Sequence, residues 1–304
     1  MSNALKVNLA LLSAVILWSG AFVAIRMSLT GYSPGSVGLF RFGLASICLA
    51  LPMFFNAKLP RLNRQQVLSL LFIGTVGTAA YSILLNSGEK SISPGMASFL
   101  VAQTPIINTI LAMGFLKERT SLNSIIAISI SCIGVAIIVL GQPIQHNFNL
   151  GLMLVITATI CGSIQSIMQK YMLGQLSPWH VCAISTWFAT LALLFFLPNL
   201  IDEFAKAPAS ATWAAIFLGL VPSTIGQWLW SYGLSKTLVA KASAYLYMMP
   251  FLSTLFAWLV LSEWPSTLEL VGGLMALLGV ILVKKDVSPQ KNRRGTTDPA
   301  LPTL

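Results

Sequence analysis

The sequence predicts an all-α polytopic membrane protein with ten transmembrane helices arranged as two inverted five-helix repeats. The chain of 304 residues is 56% hydrophobic and 9% charged, too little polar surface to keep a globule in water. Its apolar runs are each long enough to cross a hydrocarbon core of roughly 30 Å, which takes about 20 helical residues, and they are continuous rather than alternating, which selects helices over a barrel. Residues 97–118 and 242–263 align without a gap at an offset of 145, with identities at Ala97/Ala242, Ser98/Ser243, Pro105/Pro250, Thr109/Thr254, Ala112/Ala257, Leu116/Leu261 and Glu118/Glu263. The register extends to Gly74/Gly219, Val76/Val221, Gly88/Gly233, Gly134/Gly279 and Val135/Val280. A half of about 145 residues is therefore duplicated. Five spans per half is an odd number, so the second half enters the membrane from the opposite face.

The first span covers 7–27. Ser33-Pro34 aligns with Ser177-Pro178 at an offset of 144, which gives this span a partner in the sixth and marks it as a retained helix rather than a signal peptide. The second, 34–55, starts where Ser33 can cap and Pro34 costs nothing at the first helical position. It holds Arg41, the one cation well inside a span, from where the side chain could snorkel outward, with an anion-binding role as the alternative. The third is 67–87. The fourth, 94–116, starts at Ser93-Pro94 and carries Pro105 near its middle. The fifth, 121–140, places Ala127, Ser131 and Gly134 on one face, a smooth stripe that admits a close neighbour. The sixth is 150–172, the seventh 179–198 behind Ser177-Pro178, and the eighth 212–233. The ninth, 240–261, carries Pro250. The tenth, 268–284, repeats the small-residue stripe with Gly272, Ala276 and Gly279. The halves are residues 1–145 and 146–286, divided near Pro143, and 287–304 form a polar tail expected to be disordered.

Charge orients the spans. With the amino terminus inside, fourteen of the eighteen Lys and Arg residues fall on the cytoplasmic side, among them Lys6, Lys58, Arg64, Lys117, Lys170, Lys241 and Lys285, whereas Arg26, Lys90 and Lys206 fall outside. That bias places both termini in the cytoplasm. The net charge of +10 is then a topology anchor beside the lipid bilayer, and no nucleic-acid partner is expected.

Catalytic and metal chemistry find no constellation. Cys48, Cys132, Cys161 and Cys182 lack metal or redox spacing, and His146 and His180 are isolated. No cofactor, metal or catalytic residue is expected. All eight carboxylates, Glu89, Glu118, Asp202, Glu203, Glu263, Glu269, Asp286 and Asp298, fall at helix ends or in loops. The sequence thus predicts no mid-membrane proton relay, and movement driven by the solute's own gradient.

What remains inside the spans is a set of amides and rings. An amide facing hydrocarbon without a partner is costly, so each must face protein or water. Trp18, Tyr81, Gln103, Gln165, Gln227 and Tyr247 are the candidate contacts for a small-molecule substrate. Ser19, Asn108, Gln169, Trp187, Trp228, Trp230 and Tyr245 belong to the same wider set. Pro105 and Pro250 each remove a backbone hydrogen bond and displace the carbonyl four residues earlier, which predicts paired mid-membrane kinks that serve as hinges.

The segments LKERTS (116–121) and LSEWPS (261–266), the stretch LWSGAFVAIR (17–26), the Arg41-Phe42 pair and the glycines of the fifth and tenth spans resemble the EamA family of the drug/metabolite transporter superfamily. The resemblance runs from residue 7 to about 285. It implies ten helices in inverted repeats, a bacterial cell inner membrane, and movement of amino acids or related metabolites, often outward. Helix 1 departs from the family pattern by reading Trp18-Ser19-Gly20, and the sixth span lacks the equivalent tryptophan. The small four-helix multidrug members use a glutamate in their first helix, which this chain lacks. The resulting expectation is a permease, monomeric or homodimeric, that exports a small organic solute by alternating access. The alternatives are uptake of a nucleotide-like or vitamin-like metabolite, and, from other classes, a non-transporting membrane receptor or a membrane-embedded enzyme.

Overall fold

The computed structural model describes residues 2–54, 59–115 and 146–263, together with Ile126, Ser129, Ile130, Ile133, Thr267, Val271, Leu274 and Met275. Among these residues every regular element is helical. In chain order they are α1 (Asn3–Ser28), α2 (Pro34–Phe54), α3 (Arg64–Phe72), α4 (Tyr81–Gly88), α5 (Pro94–Val101), α6 (Thr104–Phe115), α7 (His146–Leu173), α8 (Pro178–Leu193), α9 (Leu197–Phe204), α10 (Ala209–Leu220), α11 (Gln227–Ser235), α12 (Val239–Ser243) and α13 (Met249–Leu261).

Among the described residues seven stretches are long and apolar enough to cross a membrane: Asn3–Ser28, Pro34–Pro52, Arg64–Gly88, Leu150–Leu173, Pro178–Phe204, Ala209–Ser235 and Val239–Leu261. They coincide with the first, second, third, sixth, seventh, eighth and ninth predicted spans. The fourth is divided between α5 and α6. The small-residue stripes of the fifth and tenth lie outside the described residues.

Helix starts follow their capping chemistry. Ser93 Oγ accepts from Met96 N at 3.1 Å ahead of Pro94, and Ser177 Oγ accepts from His180 N at 3.4 Å ahead of Pro178. Asn63 and Gln66 form a reciprocal capping box before α3, with bonds of 2.8 and 3.0 Å. Inside the bundle, buried hydroxyls such as Ser19, Ser163 and Thr186 donate to the carbonyl four residues back, which satisfies them without a partner helix.

Among the described residues five spans are not continuously α-helical, one of them through a 3-10 turn, Leu194–Phe196, between α8 and α9. A π turn, Ile73–Ala80, joins α3 to α4, and another, Val221–Gly226, joins α10 to α11. These positions overlap under the offset of 145. Proline accounts for the remaining two. Pro105 stands in the first turn of α6 after a break at Ala102 and Gln103, and Pro250 stands in the first turn of α13 after a 3-10 segment, Ala244–Met248. The expected kinks are thus breaks, in which each proline begins a new helix where its missing N–H has no bond to lose.

The two halves interlock through exchanged contacts. A Cβ on Gly74 would collide with Ser185 O and meet Phe188 Cβ at 2.7 Å, while one on Gly219 would meet Arg41 O at 3.0 Å and Leu44 Cβ at 2.9 Å. The offsets of 145 for the glycines and 144 for their partners convert one contact into the other. Gly88 against Val155 and Gly233 against Leu11 are related in the same way. The matched glycines at 74 and 219 and at 88 and 233 are therefore places where helices of opposite halves touch too closely for a side chain. The main core gathers along α1, with Leu11, Val15, Phe22 and Ile25 packed among residues of α5, α7, α10, α11 and α13.

Candidate functional site

The π turns and the proline breaks surround one cavity of about 120 Å³, lined by residues of α1, α2, α4 to α7, α11 and α13 and of both π turns. Four of the six candidate contacts line it: Trp18, Tyr81, Gln165 and Gln227. Gln103 does not. It lies in the break between α5 and α6, where its Nε2 donates to Phe99 O at 3.2 Å and its buried Oε1 has no partner among the described residues. Tyr247 is 1% exposed in the 3-10 segment and is also absent from the lining. Pro105 and Pro250 adjoin lining residues Thr104 and Met249.

Trp18 is fixed by its polar edge. Its Nε1 donates to Pro222 O at 3.1 Å, at the start of the second π turn, and its ring lies 5.1 Å from that of Trp230. Two large apolar rings with one directed N–H give the wall both surface and orientation. On the other side Gln165 Nε2 donates to Thr78 Oγ1 at 3.1 Å, above Gly77, whose missing side chain leaves room for the Gln165 stem. Gln169 also lines the cavity, and its Nε2 donates to Ser231 Oγ at 2.8 Å. Asn108 and Trp187 are interhelical ties instead, to Ser243 Oγ at 2.7 Å and Ser46 O at 3.2 Å.

Arg41 takes the inward of its two expected places. It does not reach for the interface. It is buried at 7% exposure and lines the cavity, with Nε donating to Ser223 Oγ at 2.9 Å and its guanidinium 4.8 Å from the Phe42 ring centre. Among the described residues no carboxylate forms an ion pair with it. A buried cation without a counter-ion is costly, and the cavity it faces is where an anionic group would offset that cost.

Sequence reading missed the π turns. Pro222 in the eighth span was the available signal, since a proline this far inside a helix displaces the carbonyl four residues earlier, here that of Leu218, and Pro222's own carbonyl receives Trp18. Thr78 and Thr224 each donate to a carbonyl five residues back, Ile73 O at 3.2 Å and Gly219 O at 2.7 Å, which matches the wider turn. Among the described residues no cluster of His, Cys, Asp or Glu could hold a metal.

This arrangement can hold a small solute between an indole pair and two amides, with a positive charge at one side. Its volume is well below the roughly 300–1,000 Å³ of drug-sized pockets. Comparison with known proteins agrees with a carrier. The EamA-like transporter family matches residues 5–140 and again residues 149–284. A probable terminal-alkyne amino-acid exporter of Streptantibioticus cattleyicolor is 32% identical over 288 residues, covering 94% of this chain and 96% of that protein. The uncharacterized transporter YdfC of Bacillus subtilis is 33% identical over 265 residues, covering 87% and 86%. A solved crystal structure with 15% identity superposes with a TM-score of 0.71 over 93% of this chain and 98% of its own, a likeness of fold.

Proposed function

Because the chain belongs to the EamA-like transporter family, we propose that it is a bacterial inner-membrane permease that exports a small carboxylate-bearing solute, an amino acid or a related metabolite. The observation that carries this reading is the cavity containing Arg41. An unpaired guanidinium can receive a carboxylate, the amides of Gln165 and Gln227 can meet a polar backbone, and the Trp18–Trp230 pair can cover an apolar side chain. Similarity to a probable terminal-alkyne amino-acid exporter supports the outward direction.

Alternating access would come from ten spans in two inverted repeats, with both termini in the cytoplasm. The exchanged glycine contacts and the positive-charge bias support that arrangement. The paired breaks at Pro105 and Pro250 would serve as hinges, because a discontinuous helix can bend there without losing a backbone bond.

The test is metabolite profiling of cells with and without the protein, followed by counterflow of the enriched compound in proteoliposomes. A carboxylate-bearing metabolite should accumulate outside the expressing cells and exchange across the liposome membrane. Nucleotide-like or vitamin-like compounds accumulating inside would replace export with uptake, and no flux of any enriched compound would sink the reading.

A further inference from the structure

Glu89 sits where the sequence placed it, at a helix end, but not in water. It immediately follows the membrane-crossing stretch Arg64–Gly88 as the C-cap of α4, and it is 0% exposed. Among the described residues neither carboxyl oxygen has a hydrogen-bond partner. Glu203, at the same end of the bundle, shows what an ordinary carboxylate there looks like. It is partly exposed and accepts from Ser33 N at 2.9 Å and from Ser33 Oγ at 3.3 Å.

The surroundings explain why no donor reaches Glu89. Arg26 of α1 approaches, but its Nη1 donates to the Glu89 backbone carbonyl at 2.6 Å and not to the side chain. Lys90 is exposed, and α7 presents Gly151 and Val155 to this corner. Arg41 of α2 and Glu263 beyond α13 act on the carboxyl through their charge, and the uncharged phenol of Tyr81 of α4 is the other titratable group near it. An ionised carboxylate buried without donors costs several kcal/mol and is relieved by taking up a proton. Burial raises the Glu89 pKa well above the ordinary carboxylate range, against the lowering pull of Arg26 and Arg41.

Position gives that proton a use. Tyr81, Leu85 and Glu89 follow one another at four-residue spacing and so share one face of α4. Tyr81 and Leu85 line the cavity, which puts Glu89 one turn beyond it, between the cavity and the end closed by the Ser33–Glu203 and Tyr32–Thr212 contacts.

We propose that Glu89 is a proton-binding site that couples opening of this end of the bundle to proton release: its carboxyl is neutral while sealed, and becomes a carboxylate when the end opens. On opening, the O–H bond of the carboxyl breaks and the proton passes to water. On closing, one proton returns from water to the same carboxylate. Each opening cycle of the permease then includes one proton taken up and one released, and transport that would otherwise follow the solute gradient alone becomes sensitive to pH.

The experiment uses the full chain in lipid nanodiscs without added solute, so its outcome is independent of what the cavity transports. Infrared difference spectra across a pH titration should contain a carboxylic-acid C=O band that disappears only above the ordinary carboxylate range, and E89Q should lack it. In parallel, amide hydrogen exchange in peptides covering residues 28–33 and 88–93, corrected for intrinsic rate, should accelerate with pH in the parent and stay slow in E89Q. E89D, which keeps a titratable group, should retain a pH-dependent acceleration. The proposal is overturned if parent and E89Q give the same spectra and the same exchange profile. Should E89Q not fold, a parent spectrum with no carboxylic-acid band above the ordinary range overturns it alone.

Discussion

Trp18 closes on Gly226 so tightly that a Cβ on the glycine would stand 3.1 Å from the indole nitrogen. The equivalent contact in the other half has its partners reversed. Gly162 of α7 occupies the place of Trp18 at the offset of 144, Tyr81 occupies the place of Gly226 at 145, and a Cβ on Gly162 would stand 3.2 Å from the Tyr81 ring. The cavity is thus walled at two matching positions by a ring on a glycine, an indole contributed by the first helix of one half and a phenol by the third helix of the same half. This is the physical counterpart of the tryptophan that the sixth span lacks.

Substituting Gly226 tests that wall. In G226A the indole must move, and its bond to Pro222 O is strained or lost. We expect weaker solute binding and a shift in tryptophan emission. G43A is the control, because nothing lies within 4 Å of a Cβ there. A helical Gly→Ala with open space around the new methyl is neutral or stabilising by about 0.5–1 kcal/mol, so G43A should keep both affinity and emission. Equal losses in the two variants would show that the wall plays no special part.

Arg41 offers the sharpest test of the solute's chemistry. A hydrogen bond to a charged group contributes about 1.5–3 kcal/mol, so R41Q should weaken binding of a carboxylate-bearing solute by about tenfold or more. R41K keeps the charge without the planar fork and should fall between. Q103A and Y247A alter residues outside the cavity lining and should leave affinity unchanged. If R41Q binds as the parent does while Q103A does not, the site lies elsewhere in the bundle.

The glycines and the serine–proline starts were legible because each states a local constraint. A glycine repeated at 74 and 219, or at 88 and 233, marks a close approach whichever fold surrounds it, and Ser93-Pro94 or Ser177-Pro178 marks a helix start by capping chemistry alone. Arg41 and Glu89 were not legible for the opposite reason. Whether a charged side chain two turns into a span turns outward or inward depends on which helix packs beside it, and for Arg41 that is the π turn carrying Ser223. Glu89 does lie at a helix end. Only the packing of α1 and α7 around that end decides that water does not reach it.

The two prolines should matter more for transport than for assembly. In P105A or P250A the restored N–H can rejoin the α-helical ladder and run the helix through Ala102–Gln103 or Ala244–Met248. We expect the protein to insert and elute as a compact species, with counterflow reduced in both variants. Parental counterflow in both would make the breaks packing features rather than hinges.

Glu89 also sets the direction of a stability change with pH. Its folded-state pKa lies above the unfolded value because burial disfavours the carboxylate. The folded state therefore binds its proton more tightly than the unfolded state does. The stability this contributes is fully present below the ordinary carboxylate range of about 4.3, and is lost as pH rises through the folded pKa. Thermal unfolding of the parent should accordingly move to lower temperature as pH rises across that window, and E89Q, which carries no proton to lose, should show a flatter profile. Because other groups titrate in both proteins, the informative quantity is the difference between the two curves. That difference should widen with rising pH in favour of E89Q. A constant difference would mean that Glu89 has the same proton affinity folded and unfolded, and that water reaches it in the native state.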